Sequence, residues 1–110
     1  AFNPATSSFV GIFAQQALSD LRITKAFLCA TGVTVESGMS NTTFLEAEIK
    51  RGVVSHASSV ILVADNSKLG HDATVTFCRL QDISPFVTDQ KPAPKFVEFC
   101  RAHNIRLVWE

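Results

Sequence analysis

Hydrophobic and polar positions along the chain follow two different periods. Between residues 8 and 21, apolar side chains recur at four-residue intervals: Phe9, Phe13, Ala17 and Leu21. This spacing places them on one face and predicts an amphipathic helix that begins near Ser8. The same period returns further on and predicts a second helix from Asn41 or Thr42 to about Ala57.

Short apolar runs bounded by turn-forming residues predict the strands. The clearest is Val60–Ala64, which is rich in β-branched residues. The other predicted strands are Ala26–Ala30, Thr74–Cys78 as an edge strand, Pro85–Thr88 and Ile105–Trp109. A last helix is predicted from Pro94, which suits a first helical turn, to Asn104, which stops it. Strands that alternate with helices indicate an α/β fold with a mainly parallel sheet and helices on both faces.

Composition limits the classes of function. The 110 residues fit one compact domain. Ten basic and ten acidic residues give a formal net charge of zero, which argues against direct contact with DNA phosphates. The longest apolar runs are too short to span a membrane and no leader opens the chain, so we expect a cytoplasmic domain without membrane contact.

Cysteine and histidine spacing does not favour metal or nucleophile chemistry. Cys29, Cys78 and Cys100 lack the C-x-x-C spacing and sit in apolar contexts, which predicts reduced thiols in the core. The three histidines are scattered and form no metal-ligand pair. We therefore expect no catalytic residue, metal or cofactor.

Polar segments follow three of the predicted strands, at Thr31–Asn41, Asp65–Gly70 and Thr88–Gln90. In an open α/β sheet, ligands bind beyond the carboxyl ends of the strands. Lys68 offers a compact positive charge for a phosphate group. Ser7 and Ser8, at the start of the first predicted helix, add hydroxyls near a positive dipole end.

Each of these residues also has a purely structural interpretation. Residues 65–67 have a common turn composition, and Ser7 and Ser8 suit plain helix caps. Glu46 and Lys50 lie four residues apart in the order that favours a surface ion pair. The helical period does not decide whether Glu46 or Glu48 faces a ligand.

The stretch KAFLCATGVTVESGMSNTTFLEAEIKRGVVSHASSVILVADNSKLG resembles the effector-sensing domain of DeoR-type bacterial transcriptional regulators. The family order is a KAFLG-type strand, a Gly-containing loop, an E-A-x-x-K-R helix, an A-D-S-S-K-F-G loop and an I-T-D strand end. Corresponding pieces here are Lys25–Gly32, Glu46-Ala47 with Lys50-Arg51, Val60–Gly70 and Val87–Asp89. The opening TSSFVG, Thr6–Gly11, is similar to the family's Ser-containing entry to the first helix.

The resemblance implies a Rossmann-like fold similar to ribose-5-phosphate isomerase and the CoA transferases, with a phosphorylated sugar as ligand. It implies that Lys68 pairs with the phosphate and that Asp65 and Ser67 shape the loop. It places Glu46 and Lys50 near the sugar hydroxyls, and Gly32 where the backbone approaches closely. Residues 1–110 are then a sensing domain that lacks the family's winged helix and an upstream strand. DNA would be contacted only through that missing winged helix. The resemblance also leads us to expect a homo-oligomer.

The chain departs mildly from the regulator family's loop and lacks a part of the isomerase's site, which argues against turnover. Asn66 and Leu69 stand where the family commonly has Ser and Phe. The isomerase's glycine-rich run with its catalytic lysine has no counterpart at residues 41–45, where this chain reads NTTFL. The leading hypothesis is a sensor domain of a repressor of sugar catabolism. The alternatives are an isomerase-like enzyme that uses Glu46 or Glu48 as base, and an oligomerisation module without a ligand.

Overall fold

A four-stranded parallel sheet forms the centre of the computed structural model, which describes residues 22–110. Its strands, in spatial order, are β1 (Ile23–Leu28), β4 (Ala57–Val63), β6 (Phe86–Val87) and β7 (Leu107–Val108). The alternation of apolar runs and helical segments therefore predicted the α/β class and the parallel sheet correctly. The helix predicted over 8–21 lies outside the described residues.

Two helices connect these strands: α1 (Phe44–His56) joins β1 to β4, and α2 (Pro94–Ala102) joins β6 to β7. Both connections step in the same direction across the sheet, so right-handed crossovers place both helices on one face. The core confirms this placement, because Ala47 of α1 and Phe96 of α2 join one cluster with Leu62 and Phe86 of the sheet. The Phe86 and Phe96 rings meet edge to face, with their centroids 6.4 Å apart.

A second, antiparallel sheet packs into the same core. It consists of β2 (Gly32–Thr34), β3 (Gly38–Asn41) and β5 (Val75–Cys78), in that order. The prediction of a continuous loop over 31–41 was wrong, because this segment folds into the β2–β3 hairpin. Met39 and Val33 in the hairpin are fully buried, so its strands are stabilised by packing from distant parts of the chain.

Boundaries differ from the predictions by a few residues. Helix α1 begins after Thr43, whose hydroxyl accepts a hydrogen bond from Glu46 N at 3.3 Å, and not at Asn41 or Thr42. Asn104, with φ of 56°, follows α2 as predicted. Cys78 and Cys100 are buried, whereas the prediction of a core thiol at Cys29 was wrong: it follows the last residue of β1 and is exposed. No helix within residues 22–110 is long and apolar enough to cross a membrane.

Candidate functional site

The carboxyl ends of β1 and β4 lie side by side, since Leu28 pairs with Leu62. The end of β6 follows next, where Val87 pairs with Val63. The segments that leave these strands therefore emerge at one edge of the sheet, as expected for parallel neighbours.

Asp65 organises the segment that follows β4. Its carboxylate accepts hydrogen bonds from Ser67 N at 3.0 Å and from the Ser67 hydroxyl. It thereby caps a single 3-10 turn over Asn66–Lys68. The hydrogen bond from the Ser67 hydroxyl is the main cause that lowers the pKa of Asp65, and the charge of Lys68 adds to it. Asp65 is therefore an anionic turn residue at neutral pH.

Asp89, beyond the end of β6, holds this turn in place. Its carboxylate accepts a hydrogen bond from Asn66 N at 2.7 Å. The contact joins the ends of β4 and β6, two neighbouring strands. Asp89 was not predicted as a site residue, although the segment Thr88–Gln90 was.

Lys68 ends the 3-10 turn and is partly buried. Its backbone N–H donates to the carbonyl oxygen of Asp65 at 3.0 Å. Within residues 22–110, its ammonium group has no hydrogen-bond or ion-pair partner. A partly buried lysine without an ion-pair partner is suited to an anionic ligand.

A second polar cluster lies where α1 meets the end of β1 and β3. Asn41 Nδ2 donates to Glu46 Oε2 at 2.6 Å, and Lys50 Nζ donates to Asn41 Oδ1 at 2.8 Å. Lys50 Nζ also donates to the carbonyl oxygen of Cys29 at 2.6 Å and lies 5.1 Å from the centre of the Phe77 ring. Glu46 and Lys50 thus both bond to the side chain of Asn41. They form no direct ion pair with each other within residues 22–110.

The segments after β1 and β4 are joined to each other. Val33 forms an isolated parallel bridge with Leu69, and Gly70 N donates to Val33 O at 2.7 Å. The Thr34 hydroxyl donates to Asp72 Oδ1 at 3.2 Å. The expectation that residues 31–41 and 65–70 open on the same side of the sheet is confirmed, because they are hydrogen-bonded to each other.

The buried hydroxyl of Ser40 strengthens this junction. It donates to Gly32 O at 3.2 Å and accepts from Ala73 N at 2.9 Å. Ser40 therefore links both strands of the hairpin to the segment after Gly70.

The other candidate residues occupy different settings. A Cβ atom at Gly32 would overlap the carbonyl oxygen of His71, so this glycine permits contact between two segments of the chain itself. Glu48 pairs with Arg51 at 3.0 Å, while Glu46 belongs to the Asn41 cluster. Ser7 and Ser8 lie outside the described residues.

Asn41 is the main residue of the site that sequence reasoning missed. It was predicted as the end of the polar segment Thr31–Asn41 and as a possible helix start, but not as a site residue of its own. Its contacts with Thr31, which lies in the segment after β1, and with α1 form only through folding. Its position five residues before Glu46 was only a weak indication that the two side chains are in contact. No group of three or more His, Cys, Asp and Glu side chains in residues 22–110 could hold a metal ion.

Fold and candidate site together define an α/β domain with polar residues at the edge where its parallel strands end. The comparison with known sequences specifies the family: the DeoR C terminal sensor domain matches residues 1–90. The chain belongs to this family of regulator domains, in agreement with the resemblance of its motifs.

Curated relatives are transcriptional regulators. The chain is 36% identical over 100 residues to the HTH-type transcriptional regulator IolR of Bacillus subtilis, covering 91% of this chain and 40% of the relative. It is 34% identical over 91 residues to the lactose phosphotransferase system repressor of Staphylococcus epidermidis, covering 82% of this chain and 36% of the relative. It is 37% identical over 84 residues to the HTH-type transcriptional regulator GlpR of Haloferax volcanii, covering 76% and 33%. The chain spans about two fifths or less of the length of these relatives.

Proposed function

We propose that this domain binds a phosphorylated sugar and thereby modulates DNA binding by the full-length regulator. The observation that carries the proposal is the position of Lys68. This partly buried residue has no hydrogen-bond or ion-pair partner for its ammonium group among residues 22–110, and it lies where the segments after β1 and β4 are hydrogen-bonded together. An anion bound there would form a direct ion pair with Lys68, whereas the charge of Asp65 acts on Lys68 without forming one.

The polar cluster around Asn41 supports a sugar as the rest of the ligand. Glu46 is exposed, and a carboxylate oxygen accepts hydrogen bonds from sugar hydroxyls. One relative is named as a repressor of the lactose phosphotransferase system, a name that combines a sugar with phosphate transfer. Both features suit a ligand with a phosphate at one end and hydroxyl groups at the other.

Signal transfer would follow from the junction between the two segments. A ligand that contacts Lys68 and Glu46 would restrain residues 65–70 and the hairpin together, because Gly70 and Val33 are hydrogen-bonded. The ligand would favour one of two arrangements of a homo-oligomer, and the winged-helix domains of the full-length protein would respond. We propose a sensor and not an enzyme, since the relatives are named as transcriptional regulators.

Thermal shifts with full-length protein test the proposal. The panel contains glucose 6-phosphate, fructose 1-phosphate, fructose 6-phosphate and ribose 5-phosphate, each with its unphosphorylated sugar as control. We expect one phosphorylated sugar to raise the Tm by several degrees, since a ligand of the folded state stabilises it by mass action. Lys68→Ala should abolish the rise without unfolding the domain.

Lys25→Ala is the matched control, because it removes the same charge from an exposed position near the amino end of β1, away from the site. It should leave the ligand-induced rise in Tm unchanged. A rise that survives in Lys68→Ala would show that Lys68 is only a turn residue. No rise with any phosphorylated sugar would overturn the proposed function and favour an oligomerisation module.

A further inference from the structure

The amide of Asn41 is held between two opposite charges. Its NH₂ group donates to Glu46 Oε2 at 2.6 Å, and its oxygen accepts from Lys50 Nζ at 2.8 Å. Only the NH₂ group can donate to a carboxylate, and only the oxygen can accept from an ammonium group. With 4% of its surface exposed, the side chain therefore has one orientation that satisfies both neighbours.

This arrangement leaves oxygen lone pairs of the Glu46 carboxylate available for a ligand, which a direct ion pair with Lys50 would occupy. Residues four apart on a helix can pair their charges, but here each charge bonds to the amide. Lys50 is fixed further by the carbonyl oxygen of Cys29 and by the face of the Phe77 ring. Glu46 is exposed, and its carboxylate has roughly four acceptor positions, of which Asn41 occupies one.

We propose that Asn41 is a positioning residue, which directs the Glu46 carboxylate toward the hydroxyl groups of the bound sugar. Asn41 itself is buried and acts through Glu46. The inference rests on the proposed function, because it takes the ligand to be a phosphorylated sugar. It assigns the recognition of hydroxyl groups to Glu46 and the recognition of phosphate to Lys68.

The first test is Asn41→Asp in the full-length protein, a change that nearly preserves side-chain volume. The introduced carboxylate can still accept from Lys50 but repels Glu46. Fructose 6-phosphate serves as the probe in isothermal titration, or the panel member with the largest Tm shift. We expect a Kd at least about tenfold weaker, the equivalent of one lost charge-assisted hydrogen bond.

A measurement without ligand tests the contact itself. In Asn41→Asp, two carboxylates would lie within hydrogen-bond distance, so sharing a proton would relieve their repulsion. Two other charged residues lie on the facing elements. Lys50 remains a partner of position 41 in the variant. Arg51 is paired with Glu48 and donates to the Thr76 carbonyl oxygen of β5. We expect the Tm deficit of the variant relative to wild type to shrink between pH 7.5 and pH 5.

The double variant Asn41→Asp with Glu46→Gln separates positioning from a structural role. It exchanges amide and carboxylate, so position 46 now donates to position 41, and net charge is unchanged. We expect the Tm to return close to that of wild type, while the Kd stays at least about tenfold weaker because position 46 no longer presents a carboxylate. If the contact between positions 41 and 46 had only a structural role, both the Tm and the Kd would recover.

Three results would overturn the inference and leave the proposed function intact. They are wild-type affinity in Asn41→Asp, a Tm deficit that does not change with pH, and recovery of both Tm and affinity in the double variant. Failure of wild-type protein to bind any phosphorylated sugar would instead overturn the proposed function, and the assignment of Glu46 to sugar hydroxyls with it.

Discussion

Gly32 occupies a position where any side chain would collide with the backbone of His71. The family resemblance implied a close backbone approach at this residue, and the structure shows such an approach to another segment of the same chain. The contact belongs to the junction that also contains Ser40 and the Val33–Leu69 bridge. At the scale of single residues, the site is therefore built on close backbone packing as much as on its charged groups.

We predict that Gly32→Ala lowers the free energy of unfolding by about 3 kcal/mol, because the overlapping atom belongs to a backbone carbonyl that cannot rotate away. Gly70→Ala is the comparison, since an added Cβ there meets nothing within 4 Å and only the φ of 86° is unfavourable. It should cost about 1 kcal/mol. Urea denaturation of both variants measures the difference, and equal losses would contradict the steric explanation.

Helix α1 and strand β4 were predictable because their apolar periods are clear. The β2–β3 hairpin was not, since its strands have only three and four residues and are buried by contacts with distant elements. Its tip also contacts a distant element, because Lys95 of α2 pairs with Glu36 at 3.2 Å. The Asn41 cluster escaped prediction for the same reason, because its parts come from β3, from α1 and from the segment that follows β1.

At the start of α1, we predict that Thr43→Ala lowers the free energy of unfolding by about 1 kcal/mol, because it removes the acceptor for the Glu46 N–H. Thr42→Ala is a matched control, as Thr42 is the preceding residue and is exposed. It should lie within about 0.5 kcal/mol of wild type. Urea denaturation distinguishes the two, and a loss in Thr42→Ala as large as in Thr43→Ala would contradict the assigned cap.

At the scale of the whole molecule, residues 22–110 place two sheets and two helices around one core, and this arrangement decides which of their groups reach the surface. A strand-end site was predictable from the alternation of strands and helices, because parallel strands end at a common edge. The degree of burial of each side chain was less predictable. Cys29 and Cys78 both lie in apolar sequence, yet the first is exposed and the second is buried.

This difference predicts the reactivity of the three thiols. Burial raises the pKa of Cys78 to about 11, with a smaller contribution from Asp82, and burial also raises the pKa of Cys100. Because the thiolate is the reactive form, a disulfide reagent at pH 8 should modify one thiol quickly in the folded protein and all three in denaturant. Cys29→Ser should remove the fast phase, and its persistence would contradict the burial of Cys78 and Cys100.

The hydrogen bond from Gly70 N to Val33 O has a spectroscopic consequence. Gly70 is an exposed residue between regular elements, where backbone amides ordinarily exchange quickly with solvent. Its bonded amide is instead protected for as long as the hairpin and the segment after β4 stay together. The amide proton of Gly70 therefore acts as an internal probe of that junction, and its rate of exchange for deuterium measures how often the two segments separate.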